Sequence, residues 1–261
     1  MELAPIDIGI IVLYLLLVLG VGTYAGRGIK TFRDFSIGSY KFPDSAMVGT
    51  VAATWIGAEL LFGLSEKVYE EGIVWILIFF AGAIMEMVVL SRLAPKISRF
   101  KGHLTPAEIL GSWYGDKRVR IIAGICVILL SVGTMGVQIA ALGIMTQELL
   151  GMPALYGMVL CTGLVVLYSS LGGMKAVVAT DTLQFAFFIV AIPLVAALLL
   201  QKAGGIHEMV TKAPAEHCSL LPGSNPGKYI FLLFLFMIPY ADPTMVQRAL
   251  AAKNEKQIAN S

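Results

Sequence analysis

The sequence predicts an all-α polytopic membrane protein, and three observations lead to that fold class. Hydrophobic residues make up 57% of the chain and its mean hydropathy is +0.82. Charged residues account for only 14%, whereas soluble domains carry about a quarter. The apolar residues are gathered in long stretches, and most of the charges lie between them. Because about 20 consecutive apolar residues cross a bilayer as a helix, we expect a helical chain embedded in lipid.

Seven apolar stretches have lengths close to that of a membrane-spanning helix. They are Ile8–Thr23, Ser45–Leu64, Gly72–Leu90, Ile121–Leu150, Pro153–Ser169, Thr182–Leu200 and Tyr229–Met245. The first and fifth are near the lower limit of about 17 residues, whereas the fourth is long enough to tilt strongly. Seven crossings would place the two ends of the chain on opposite sides of the membrane.

The basic residues predict which side of the membrane each connecting segment faces. With the N-terminus outside, fifteen of the 19 Lys and Arg residues fall in inner segments. The four in outer segments are Lys67, Lys202, Lys212 and Lys228. Because cytoplasmic loops carry an excess of Lys and Arg, we expect a multi-pass protein of the plasma or inner cell membrane with its C-terminus in the cytoplasm.

Two connecting segments carry local signals for helix ends. Within residues 92–120, Thr105 followed by Pro106 predicts the start of a short helix on the inner face. Between the fifth and sixth stretches, the pair Gly172–Gly173 predicts a helix end. Thr180 or Asp181 would then cap the helix that follows.

Two of the predicted helices favour a break at membrane depth. The seventh contains Pro239 and Pro243, and the second contains small residues around 52–58. A broken helix is tolerated in a bilayer where its freed backbone groups line a cavity, and there they can hold an ion or a solute. The pattern indicates a transporter whose second helix offers carbonyl groups to a hard cation such as sodium.

Ionisable side chains inside membrane helices are costly and therefore mark candidate functional residues. Four carboxylates qualify: Glu59, Glu86, Asp181 and Asp242. Glu86 lies near the inner end of its helix, where a packing or interfacial role is the alternative. If the second helix stays regular, Trp55 and Glu59 share one face, and an aromatic ring beside a carboxylate suits an organic cation. Alternatively, Trp55 is a packing residue and Glu59 pairs with a neighbouring helix.

The sequence carries no pattern typical of an enzyme. It has no P-loop, no Ser/His/Asp or Cys/His constellation, and no cysteine or histidine cluster with metal-ligand spacing. The basic residues have a topological explanation and do not indicate nucleic acid. We therefore expect a non-enzyme without a cofactor, whose partners are the bilayer, an ion and a small solute.

Two motifs resemble those of the sodium/solute symporter family. Residues 172–184, GGMKAVVATDTLQ, are similar to the family signature G-G-x-x-A-V-x-x-T-D-x-x-Q, and Val246–Lys253 resembles its second hallmark. The resemblance implies a leucine-transporter-type fold of two inverted five-helix repeats, truncated here after about seven helices. Within a single transmembrane domain, 1–261, residues 8–23 would be an extra first helix, 45–201 the first repeat, and 229–246 the start of an incomplete second repeat.

The resemblance also assigns roles to the candidate residues. It implies symport of a small organic solute with sodium as the coupling ion. Main-chain oxygens of Ala53 and Ile56 would bind sodium, and Asp181 would take part in its passage. The solute would lie between the second, third and seventh helices, near the residues Trp55, Glu59, Glu86, Tyr240 and Asp242.

Within the family, the second and seventh helices look most similar to the choline-transporting branch. There Trp55 and Tyr240 would belong to an aromatic cage for a quaternary amine, whereas Glu59 departs from that branch. An amino acid such as proline, or a polyol, is the alternative solute. Because the family site is shared between two repeats, we expect transport to need the second repeat, so that either this chain is a fragment or a second chain supplies the missing half. The alternative function is a membrane sensor or regulatory module.

Overall fold

A computed structural model describes residues 4–38, 42–100, 102–220, 226–237 and 243–261, and these ranges contain helices and no β-strand. The helices are α1 (Pro5–Ala25), α2 (Phe32–Ile37), α3 (Asp44–Trp55), α4 (Leu64–Glu71), α5 (Val74–Ile97), α6 (Pro106–Tyr114), α7 (Lys117–Leu150), α8 (Ala154–Lys202), α9 (Gly205–Lys212), α10 (Pro226–Met237), α11 (Pro243–Ala251) and α12 (Glu255–Asn260). A π-helical turn, Glu59–Gly63, precedes α4. The all-α prediction is confirmed.

Among the described residues, four helices are long and apolar enough to cross a bilayer by themselves: α1, α5, α7 and α8. Helix α3 and the segment Leu60–Glu71, which are bent by 48° relative to each other, make a fifth when they are taken together as one span. At about 1.5 Å per residue, the 49 residues of α8 would extend well beyond the roughly 30 Å of the hydrocarbon core. Non-helical backbone angles at Gly173 (φ 47°, ψ −146°) divide α8 into two helical segments. The chain is thus a polytopic membrane protein.

The predicted helix end at the glycine pair is present, but the predicted cap after it is wrong. The helix resumes directly after Gly173, so Thr180 and Asp181 lie inside α8 and not at its start. The Thr180 hydroxyl donates to the carbonyl groups of Ala176 and Val177, each at 3.0 Å, within the same helix. A residue that prefers a cap is therefore accommodated in a helix interior by bonding backward to the preceding turn.

The most deeply buried side chains lie where α2, α11 and α12 meet the start of α3 and the break of α8. This core contains Ile37, Phe42, Met47, Met174, Val178, Val246, Ala249, Leu250, Ala251, Ala252 and Ile258. Gln257 of α12 is 5% exposed, and its side-chain amide donates to the Phe42 carbonyl at 3.0 Å and to Asp44 Oδ1 at 2.7 Å. These bonds fix α12 against the first turn of α3.

The end of α4 and the start of α5 are joined to α10 by charged and aromatic groups. Lys228 Nζ donates to Glu71 Oε2 at 2.5 Å, and the Tyr229 hydroxyl donates to the same oxygen at 3.1 Å. The Lys228 ammonium also lies 5.6 Å from the ring centroid of Trp75 and 5.4 Å from that of Tyr229, within cation–π range. The two segments on either side of the α3–α4 bend are therefore each held by contacts from later in the chain.

Candidate functional site

The second predicted span is broken in its middle. Helix α3 ends at Trp55, and Ile56 leaves the helical conformation with φ −91° and ψ 74°. The chain becomes helical again in the π turn that begins at Glu59. The last four carbonyl groups of an α-helix have no partner in its regular hydrogen-bond ladder. At this break these are the carbonyl groups from Ala52 to Trp55. Ile56 N donates to the Ala53 carbonyl at 3.2 Å, which tightens the last turn.

A side chain from α7 supports the backbone at the break. Gln138 Oε1 accepts a hydrogen bond from the N–H of Ala58 at 3.3 Å. A Cβ atom at Gly57 would lie 3.1 Å from Gln138 Nε2, so the small residue leaves room for the amide. Gln138 was not singled out from the sequence, although an amide in the apolar interior of a long helix can indicate a polar contact with another helix.

We expect Gln138→Leu to loosen this break, because the Ala58 N–H loses an acceptor worth about 0.5–1.5 kcal/mol. Hydrogen–deuterium exchange of the segment from Ala58 to Leu61 should become faster in this variant. Gln147→Leu is the matched control, since Gln147 is exposed on the same helix. Equal exchange rates in the two variants would show that Gln138 does not support the break.

The break also changes the relation between two predicted site residues. Trp55 is the last residue of α3 and Glu59 begins the π turn, so the regular helix on which the shared face depended is interrupted at Ile56. Trp55 lines a groove of about 650 Å³ between α3 and α5, together with Phe79 and Phe80. Its Nε1 atom is buried and has no hydrogen-bond partner among the described residues. An indole N–H is thus placed beside an apolar groove.

The remaining predicted solute residues are described to different extents. Glu86 is 5% exposed, so it is buried within α5. It follows Gly82 by one turn, and a Cβ at Gly82 would meet Phe236, so Glu86 lies on the face of α5 that packs against α10. The Glu59 side chain, Tyr240 and Asp242 lie outside the described residues.

A buried charged cluster joins α3, α8 and α11 next to the break. Arg248 Nη2 lies 2.9 Å from Asp181 Oδ2, and Arg248 Nε donates to Thr50 Oγ1 at 2.9 Å. Thr50 Oγ1 donates in turn to Asp181 Oδ2 at 2.5 Å, and Arg248 Nη1 donates to the Thr244 carbonyl at 3.1 Å. The Arg248 and Asp181 side chains are 8% and 16% exposed, and Thr50 is fully buried.

The position of this cluster relates Asp181 to the predicted sodium residues. Thr50 precedes Ala53 by three residues, which is about 4.5 Å along the helix axis. The Asp181 carboxylate, which accepts from Thr50, therefore lies about one helical turn before Ala53, and it is paired with Arg248. Arg248 was included in the second motif without a role in the site, and Thr50 was not singled out from the sequence. The available signal was that Asp181 and Arg248 belong to the two separate family-like motifs, which meet at this ion pair.

A broken helix within a candidate membrane span is a feature of many secondary transporters. Residues 35–261 match the profile of the sodium:solute symporter family. The chain belongs to that family. This finding confirms the resemblance carried by its two motifs and the prediction of a membrane transport protein.

Individual relatives are similar over most of this chain. The sodium/glucose cotransporter of Vibrio parahaemolyticus is 26% identical over 97% of this chain and 50% of its own length. The sodium/pantothenate symporter of Escherichia coli is 24% identical over 77% of this chain and 43% of its own. The high-affinity choline transporter 1 of Drosophila melanogaster is 27% identical over 69% of this chain and 30% of its own length. The chain thus spans half or less of the length of these relatives.

Proposed function

We propose that this chain forms the first half of a sodium-coupled symporter for a small organic solute. The observation that carries the proposal is the break of the second span at Ile56, where backbone carbonyls leave the helical ladder at membrane depth. The chain's membership of the sodium:solute symporter family supports it. Because the match covers only 50%, 43% and 30% of the lengths of the three relatives above, the second half of the site would come from a second repeat, in a second chain or a longer protein.

Sodium would bind at the end of α3, through the carbonyl oxygens of Ala53 and Ile56. Sodium is a hard cation and prefers oxygen ligands. The C-terminal end of a helix also carries a partial negative charge of about half an elementary charge, which favours a cation at the end of α3. The helical segment after the break begins with its positive end, which favours a negative or polar group of the solute.

Asp181 would act on the inner side of this site. In the proposed orientation, with the N-terminus outside, α3 runs outward, so Thr50 and Asp181 lie between the break and the cytoplasm. A sodium ion that leaves toward the cytoplasm would then meet the Asp181 carboxylate. The ion and the Arg248 guanidinium would compete for this carboxylate. Until an ion is released, the ion pair between Asp181 and Arg248 would keep the path from the site to the cytoplasm closed.

The side chains near the break indicate the class of solute. Trp55 supplies an aromatic face and an indole N–H beside the break, and Glu86 supplies a buried carboxyl group on the neighbouring helix. With Glu59, Tyr240 and Asp242 added, these groups suit an organic cation such as choline. The relatives' names include glucose and pantothenate as well as choline, so proline and polyols are the other solutes to test.

The test is tryptophan fluorescence of the purified chain during a sodium titration, with potassium holding the ionic strength constant and choline and proline added in turn. We expect a saturable, sodium-specific change that disappears in Trp55→Phe. It should persist in Trp113→Phe, because Trp113 is 71% exposed on α6. A response that potassium reproduces, or that survives Trp55→Phe unchanged, would contradict a sodium-linked site at the break.

A further inference from the structure

We infer that a groove where α6 meets α7 binds one anionic phospholipid. The groove has a volume of about 450 Å³ and runs down one face of α7 from Lys117 and Arg120 to Ile128. Lining residues at positions 117, 121, 124 and 128 recur every three or four residues, as expected for a single helix face. It therefore presents cations at one end and an apolar surface at the other, which matches the two parts of a phospholipid.

The charged end is suited to a phosphate group. Within the described part of the chain, no ion pair engages Lys117. Arg120 donates to Glu108 Oε1 at 2.9 Å, yet its side chain remains 57% exposed. The nearby carboxylates are already engaged: Glu108 Oε2 accepts from Leu104 N, and Asp116 Oδ1 accepts from Arg118 N. Basic groups at a membrane surface attract anionic lipid headgroups.

The apolar end has space for an acyl chain because of one glycine. A Cβ atom at Gly124 would meet only the Ala107 Cβ, at 3.9 Å, so the position is a notch in the face of α7. Ile121, Ile125 and Ile128 beside it are 52%, 53% and 62% exposed. The helix face between Ile121 and Ile128 extends for about 10 Å, which places it below the headgroup level when Lys117 is at the surface.

Helix α6 holds this junction at the membrane surface. It begins as predicted, with Thr105 Oγ1 accepting from Glu108 N at 3.2 Å and Pro106 in the first turn. Trp113 and Tyr114 at its end are 71% and 68% exposed. Exposed aromatic residues next to basic ones are typical of the boundary between headgroups and hydrocarbon. This inference requires only that the chain spans a membrane and does not depend on the proposed transport activity.

The charge requirement is tested by native mass spectrometry of the delipidated chain, titrated with phosphatidylglycerol or phosphatidylcholine of identical acyl chains. We expect preferential binding of phosphatidylglycerol, and about a fivefold weaker preference in Lys117→Gln, the change expected for roughly 1 kcal/mol per cation at the surface. Arg118→Gln removes the same charge one residue away, outside the groove lining, and should leave the preference within twofold. Equal losses in both variants, or no initial preference, would overturn the specific site.

The shape requirement is tested with Gly124→Leu, which fills the notch without a backbone clash. We expect this variant to lose the bound phosphatidylglycerol while its circular dichroism stays unchanged. Gly133→Leu adds the same side chain further along α7, where nothing lies within 4 Å, and should retain the lipid. Lipid retention in Gly124→Leu, or equal loss in both variants, would overturn the groove as the binding site.

Discussion

Arg248→Leu should lower the free energy of unfolding by about 3–5 kcal/mol, because it leaves Asp181 as a buried carboxylate without its counter-ion. The variant also removes the guanidinium donor to Thr50 and so weakens the contact that joins α3, α8 and α11. The measurement is chemical unfolding of the purified chain in detergent, followed by circular dichroism. The loss should be among the largest for any single substitution outside the apolar core.

Two further variants separate the buried charge from general effects. Arg99→Leu breaks the ion pair between Arg99 and Glu255, whose side chains are 68% and 49% exposed. It should lower the free energy of unfolding by at most about 1 kcal/mol. The double variant Arg248→Leu with Asp181→Leu removes both charges and should recover much of the stability, since apolar replacement of a buried pair is often nearly neutral. Additive losses in the double variant, or equal losses for Arg248→Leu and Arg99→Leu, would show that the pair is not energetically coupled.

Gly173→Ala should also destabilise the protein strongly, because it places a side chain at the break that divides α8 into two segments. The backbone angles at Gly173 are almost restricted to glycine, and such strain costs about 1–3 kcal/mol. The added methyl group would also meet the carbonyl oxygen and ring of Phe35 in α2, so the real loss should exceed the strain alone. The unfolding midpoint of the purified chain measures the effect.

Gly163→Ala is the control for this prediction. Gly163 lies in the same helix with regular geometry, and nothing lies within 4 Å of a Cβ atom built there. Alanine is a better helix former than glycine by about 0.5–1 kcal/mol, so the control should be neutral or stabilising. The two substitutions are chemically identical and should act in opposite directions. Destabilisation by the same amount would mean that Gly173 is not a specifically strained position.

The sequence predicted the long apolar helices and the breaks near Ile56 and at the glycine pair, because both depend on local composition. Long apolar stretches require a bilayer, and the glycine pair at Gly172–Gly173 and the small residues near Ile56 favour loss of regular helix. The sequence did not predict where the helix resumes after Gly173. The cap preference of Thr180 and Asp181 is local, and the packing of α8 against α2 and α3 outweighs it.

The contacts that build the site could not be predicted from local patterns. Gln138 bonds to Ala58 across 80 residues of sequence, and Thr50 bonds to Asp181 across 131. Periodicity shows which face of a helix is apolar but does not show which helix lies opposite it. The shared face of Trp55 and Glu59 was expected only for a regular helix, and the break at Ile56 removes that regular spacing.

The most direct test of sodium binding at the α3 break is hydrogen–deuterium exchange of the purified chain in sodium and in potassium at equal ionic strength. An ion held by the carbonyls of Ala53 and Ile56 would restrain the break and lower the rate of its opening. We expect slower exchange in sodium for residues 53–61, and no difference for α6. The same exchange in sodium and potassium across residues 53–61 would contradict a sodium site at the break.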